Sequence, residues 1–146
     1  MLYHELSQTE IDRRRTLTEN TRDMIIREMT IREAEADCVL TSYRDFFLQI
    51  SFSEVHPLMV FSLARAIENS DLSMIDVWNE MNMNSVLGTH ALNDQASCYH
   101  YRATHWLECE ISKERFFEIL DRCVDEAVNK LELLCTDDRN VKWFSH

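Results

Sequence analysis

The chain has 146 residues, 45% of them hydrophobic, enough for one domain with a buried core and short for two. Acidic residues number 26 against 15 lysines and arginines, a formal net charge of -11, and such a surface repels nucleic-acid phosphates and anionic lipid headgroups. A single glycine and a single proline exclude the glycine-rich phosphate loops of the common nucleotide enzymes, and no run approaches the roughly 18 apolar residues of a membrane-spanning helix.

Residues 1–36 are charge-dense and read as a helical N-terminal extension. Ser7 and Glu10 have the spacing of a capping box, and Leu17, Met24, Ile25 and Met29 give a loose apolar stripe around Thr18–Glu35. Arg13, Arg14 and Arg15 form the one basic run. It could touch RNA, anionic lipid or an acidic patch, but with Glu10, Asp12 and Glu19 beside it the simpler reading is a solvated helix face.

From Cys38 the hydrophobic period changes. In Arg44–Phe52, the side chains of Phe46, Leu48, Ile50 and Phe52 fall on one face and those of Phe47, Gln49 and Ser51 on the other, the period of a half-buried strand. Ser53–Pro57 reads as a turn, and Pro57, with no N–H to donate, suits the start of the next strand. That strand is Leu58–Ala66, paired with the first as an antiparallel hairpin.

The polar segment Glu68–Asp71 precedes a helix capped by Asp71 or Ser73. Met74, Val77, Trp78 and Met81 keep the i, i+3, i+4, i+7 spacing, and Asn82–Asn84 end it. Ser85–Leu92 and Ser97–Cys109 are two further strands, with Asn93–Gln95 turning between them. The last element is a helix capped by Ser112. Phe116, Leu120, Cys123, Ala127, Leu131 and Leu134 form its apolar stripe, widened by Phe117, Val124 and Val128. Glu118, Arg122, Asp125, Glu126 and Lys130 occupy the opposite face. About 24 residues give roughly 36 Å of helix. Asp137–His146 form a tail whose Val141, Trp143 and Phe144 could dock.

After that helical extension, hairpin, helix, hairpin and long helix make an α+β domain over residues 37–136. The expectation is an antiparallel sheet of four to five strands with helices packed on one side, a long C-terminal helix, and a tail from 137 to 146.

The five cysteines, Cys38, Cys98, Cys109, Cys123 and Cys135, include no C-x-x-C pair. Met1–Glu10 lacks the apolar segment of a secretory signal, so reduced thiols and a cytoplasmic location are expected. Cys98, His100, His105 and Cys109 lie close enough to raise the question of zinc. On a regular strand Cys98 and His100 share a face while His105 and Cys109 have the other parity, so packed cysteines and edge histidines are the better reading. A Cys–His nucleophile with His90 or His100 lacks any group that would activate the thiol. Glu118 and Asp125 read as solvated carboxylates. No catalytic residue, metal or cofactor is expected, and the chain does not read as an enzyme.

The aromatic strands say more. Phe46, Phe47, Phe52, Phe61, Tyr99, Tyr101 and Trp106 exceed what one helix-covered face needs. Either residues 1–36 cover a second face, or part of the set, with Phe47, Phe61, Tyr99, Tyr101 and Trp106 as candidates, is free to bind a partner.

The segment Trp78-Asn79-Glu80-Met81-Asn82-Met83-Asn84-Ser85 runs into Val86-Leu87-Gly88-Thr89. The turn Asn93-Asp94-Gln95, a strand and the helix from Ser112 follow. From roughly Asp37 to Leu134 this pattern resembles the YbjN-like family, similar in fold to the CesT-type chaperones of type III secretion. The resemblance implies small, acidic, often dimeric proteins without catalytic residues. Its chaperone branch binds an extended segment of a client, and its YbjN-like branch is often described as regulatory. It assigns no role to any single residue. The expected function is therefore non-enzymatic: a homodimer that binds a client polypeptide or regulatory partner through an apolar sheet or helix surface, with strand addition at a sheet edge as one mode. Nucleic acid and membrane are not expected partners. The alternative is an acidic immunity or antitoxin-like protein that inhibits a basic toxin enzyme.

Overall fold

The computed structural model describes residues 6–53, 56–67, 75–93 and 98–135. In chain order the elements are α1 (Gln8–Glu28), β1 (Glu33–Ala34), β2 (Cys38–Tyr43), β3 (Phe46–Phe52), β4 (Leu58–Ala66), α2 (Ile75–Met83), β5 (Gly88–Asn93), β6 (Cys98–Trp106) and α3 (Lys113–Cys135). The strands form one sheet in the order β1-β2-β3-β4-β6-β5, with every neighbouring pair antiparallel.

The α+β class and the long C-terminal helix are as the sequence indicates, but the sheet has six strands, not four to five. The additions are β1 and β2, between the expected N-terminal helix and the first expected strand. β2 was hidden because its inward set is Val39, Thr41 and Tyr43, only one of them aliphatic. Thr41 is nevertheless buried, its hydroxyl donating to the Thr30 carbonyl. β2 and β3 join through Arg44 and Asp45, both with positive φ (48° and 68°), the two-residue turn whose twist matches a hairpin.

Ser7 caps α1, its side chain accepting from the Glu10 N–H. The helix ends at Glu28, well short of Glu35, because Thr30 and Ile31 lead the chain into β1. Leu17, Met24 and Ile25 of α1 are buried in the core that the sheet and the other helices share.

On the covered face, register brings Val39, Ile50, Phe61 and Ala103 into one cross-strand row, and Thr41, Leu48, Leu63, Tyr101 and His90 into the next. α3 lies on this face through Phe116, Leu120, Cys123, Val124, Ala127 and Leu131, all buried; each large side chain of that stripe contributes about 1.5–3 kcal/mol by leaving water. Ser112 caps α3 as expected, accepting from the Arg115 N–H. Trp78 and Met81 of α2 enter the core, and Trp78 packs 5.8 Å from the Tyr99 ring. Met74, the caps Asp71 and Ser73, the turn residues Asp94 and Gln95, and the tail from Asp137 lie outside the described residues, as do the side chains of Val77 and Leu134.

The opposite sheet face, called the open face below, ranges from half-buried to exposed among the described residues. It presents Cys38, Leu40 and Ser42 from β2, Phe47, Gln49 and Ser51 from β3, and Leu58, Val60, Ser62 and Ala64 from β4. The outer strands add His100, Arg102, Thr104 and Trp106 from β6, and Thr89 and Ala91 from β5. No helix of the described residues is long and apolar enough to cross a membrane.

Candidate protein-binding surface

The asparagine-rich stretch that ends α2 is a set of struts. The Asn82 side chain both donates to the His90 carbonyl and accepts from the His90 N–H, joining the helix end to β5. The Ser85 hydroxyl lies 3.1 Å from Nε2 of His90, and the Tyr99 hydroxyl lies 2.6 Å from its Nδ1. Burial therefore pushes the His90 ring down to about 4 and keeps it neutral.

Glu126 of α3 fastens the turn between α2 and β5. Its carboxylate accepts from the N–H groups of Val86 (2.8 Å), Leu87 (3.1 Å) and Gly88 (2.9 Å), and from the Tyr101 hydroxyl (2.6 Å). Burial alone would raise this carboxyl; the Tyr101 hydroxyl and the three backbone donors outweigh it and bring it down to about 2. The close approach explains the chain's one glycine. A Cβ at Gly88 would lie 2.5 Å from Cζ of Tyr101 and 2.6 Å from the Arg102 carbonyl oxygen. Ser85 and His90 have the contact of a nucleophile and its base, but the N–H groups of Val86, Leu87 and Gly88, the kind of donors an oxyanion needs, are taken by Glu126.

Clipped in this way, the turn exposes apolar side chains. Met83 is 86% exposed, Val86 88% and Leu87 47%. Leu87 borders a groove of about 470 Å³ between the first turns of α3 and the end of β6. Phe61, Ala103, Ile119 and Cys123 supply its apolar lining, and His105, Arg115, Glu118 and Arg122 its polar rim. A second trough, lined by Asn84, Val86, Glu126, Asn129 and Lys130, shares Leu87 and Arg122 with the first. Strand β5 begins at Gly88, opposite Ala103. Among the described residues, Thr104, His105 and Trp106 of β6 therefore pair with β4 on one side and with no strand on the other. An unpaired edge of this kind is a template for an added strand.

The five aromatic candidates are divided between the two faces. Phe61, Tyr99 and Tyr101 are core residues at 0–1% exposure. Phe47 and Trp106, 46% and 56% exposed, stand on the open face at opposite ends: Phe47 is opposite Ala64 and Trp106 opposite Leu58. Met83, Val86, Leu87 and Ile119 were not singled out from the sequence; the adjacent apolar pair Val86-Leu87 just after a run of asparagines was the available signal. Cys98 and His100 lie on the open face and His105 on the covered one, so the strand separates these candidate metal ligands. Of the basic run, Arg13 and Arg14 both pair with Glu10 and Arg15 pairs with Asp12.

No protein-family model matches the chain, and no curated protein does. Solved structures do. YbjN from E. coli superposes with a TM-score of 0.60 over 86% of this chain and 95% of its own, at 10% identity. The Yersinia pestis type III secretion chaperone SycH, in complex with a stable fragment of YscM2, gives a TM-score of 0.53 over 80% and 98% of the two chains at 15% identity. A chain of the HopA1–SchA chaperone–effector complex gives 0.54 over 87% and 99% at 10% identity. The fold is thus that of YbjN and the type III secretion chaperones.

Proposed function

We propose that this protein is a non-enzymatic, chaperone-like binder of another polypeptide, and that it takes an extended segment of that client into the groove between α3 and β6. The observation that carries the reading is an outer edge at Thr104–Trp106 with which no described strand pairs, beside an apolar groove bordered by Leu87 and Ile119. Backbone pairing along the edge would supply affinity, and alternate side chains dropping into the groove would supply selectivity. Two proteins that share this fold are chaperones seen with a protein bound, which supports the reading. The net charge of -11 would favour encounter with a basic partner. No metal, cofactor, nucleic acid or membrane enters the proposal, and a cytoplasmic location fits it.

Immobilised protein exposed to a lysate of its native host tests the reading. The wild type should recover a partner that a Leu87→Asp variant of unchanged circular dichroism does not. Equal recovery by both would remove the groove from the proposal.

A further inference from the structure

The rim of the groove differs in charge from the chain as a whole. We infer that the client segment carries an acidic residue two positions from the apolar residue that fills the groove floor, and that its carboxylate meets Arg122; this rests on the client-binding reading and adds to it the chemistry of the segment.

The first observation is the state of Arg122. On a helix its side chain can meet residues three or four positions away, which on α3 are Glu118, Ile119, Asp125 and Glu126. All three carboxylates are held elsewhere. Glu118 pairs with Arg115, Asp125 with Arg44 at 2.8 Å, and Glu126 with the Val86–Gly88 turn and the Tyr101 hydroxyl. Asp121, the preceding residue, also pairs with Arg44. Arg122 is exposed and makes no ion pair with any described residue, in a chain with 26 acidic residues against 15 lysines and arginines.

The second is where that charge stands. Arg122 borders both of the hollows that Leu87 borders. Of the other polar groups on the groove rim, Arg115 and Glu118 offset each other. His105 is held towards its neutral form by burial and by the nearby Arg115. The groove therefore offers an added segment one net positive charge beside an apolar floor. The charge of -11 and the rim act at different ranges. The first favours encounter with a client that is basic as a whole. Arg122, screened beyond about 8 Å at physiological salt, acts only on the stretch that is bound.

The third is strand geometry. Thr104 and Trp106 turn their N–H groups to the outer edge, and the His105 side chain stands on the groove side. A strand added at that edge places every second side chain on the same side, about 6.6 Å apart. Along the axis of α3, Arg122 lies about 4.5 Å from Ile119 and Arg115 about 6 Å from it on the other side, distances comparable with that step. When one side chain of the segment fills the floor between Leu87 and Ile119, the next on that side is at the rim. The planar fork of Arg122 matches a carboxylate there, and a lysine at the same position is repelled.

Fluorescence anisotropy on the full chain tests this, with short blocked threonine–serine peptides that carry one central leucine. Glutamate, glutamine or lysine stands two positions to each side of the leucine, so that either strand direction presents the group to Arg122. The glutamate peptide should bind at least about threefold tighter than the glutamine peptide, with the lysine peptide weakest. Arg122→Glu should reverse the order of the glutamate and lysine peptides. Arg102→Glu, the same charge change at an exposed site on the open face, should leave the order as in the wild type. Glutamate and glutamine peptides that bind alike, a lysine peptide that binds tightest, or equal effects of Arg102→Glu and Arg122→Glu would each overturn the proposal. If all three peptides bind alike and all are lost with Leu87→Ser, the groove stands and the acidic requirement falls. Binding by none of them at about 1 mM, beside a lysate partner that depends on Leu87, would overturn this inference and leave the client-binding reading intact; with no such partner both fall.

Discussion

The Tyr101 hydroxyl lies 2.6 Å from Oε1 of Glu126, joining strand β6 to the long helix across 25 residues of sequence. Because the same carboxylate holds Val86, Leu87 and Gly88, the strand, the helix and the apolar turn are one unit.

Glu126 should therefore contribute stability that acid removes. Its folded value, about 2, is below its ordinary 4.5, so the unfolded chain binds the proton first. The contribution is complete above pH 4.5 and is lost as pH falls towards 2. Screening by solvent at this half-exposed site brings it to about 1–2 kcal/mol. Urea unfolding of Glu126→Gln should show that deficit at pH 7 and converge with the wild type near pH 2–3.

His90 titrates in a separate window. Its folded value of about 4, against an ordinary 6.5, means that the unfolded state takes up the proton first. The stability that the neutral ring provides is complete above pH 6.5 and declines as pH falls to 4. The penalty of His90→Gln, measured by unfolding at pH 7.5 and pH 4.5, should be smaller at the lower pH. An unchanged penalty would mean that the ring is not held neutral.

Gly88→Ala should be costly although the site needs no positive φ. The added methyl meets a tyrosine ring and a backbone carbonyl, and neither yields easily in a paired strand. A loss of about 1–3 kcal/mol is expected, with fewer protected amides in Val86–Thr89 by hydrogen exchange.

The β2–β3 turn should be improvable. Arg44 and Asp45 both have positive φ, a conformation that costs non-glycine residues roughly 1 kcal/mol each. Arg44 is compensated in part by ion pairs to Asp121 and Asp125. Asp45→Gly should raise stability by about 0.5–1 kcal/mol, read as a higher urea midpoint with unchanged slope.

The sequence made some of this legible and not the rest. Phe46–Phe52 and Leu58–Ala66 were readable because alternation or an apolar run marks a half-buried strand directly, and α3 because Ser112 and the Phe116–Leu131 stripe agree. Alternation also separates Phe47 from Phe46, but it does not fix cross-strand register. Only register places Phe61, Tyr99 and Tyr101 on the helix-covered face and leaves Trp106 on the open one. Glu126 looked like one more solvated acid because its four donors are 25 to 40 residues away. Leu87 and Ile119 sit in different elements, and only the folded chain brings them to one groove.

Hydrogen–deuterium exchange at Thr104 and Trp106, whose N–H groups face the outer edge while that of His105 faces β4, with and without a recovered client, tests the client-binding reading most directly. A strand added at that edge should slow these two amides by at least about tenfold, as backbone pairing does, while α1 stays unchanged. Client binding that leaves both amides exchanging at the free rate would contradict it.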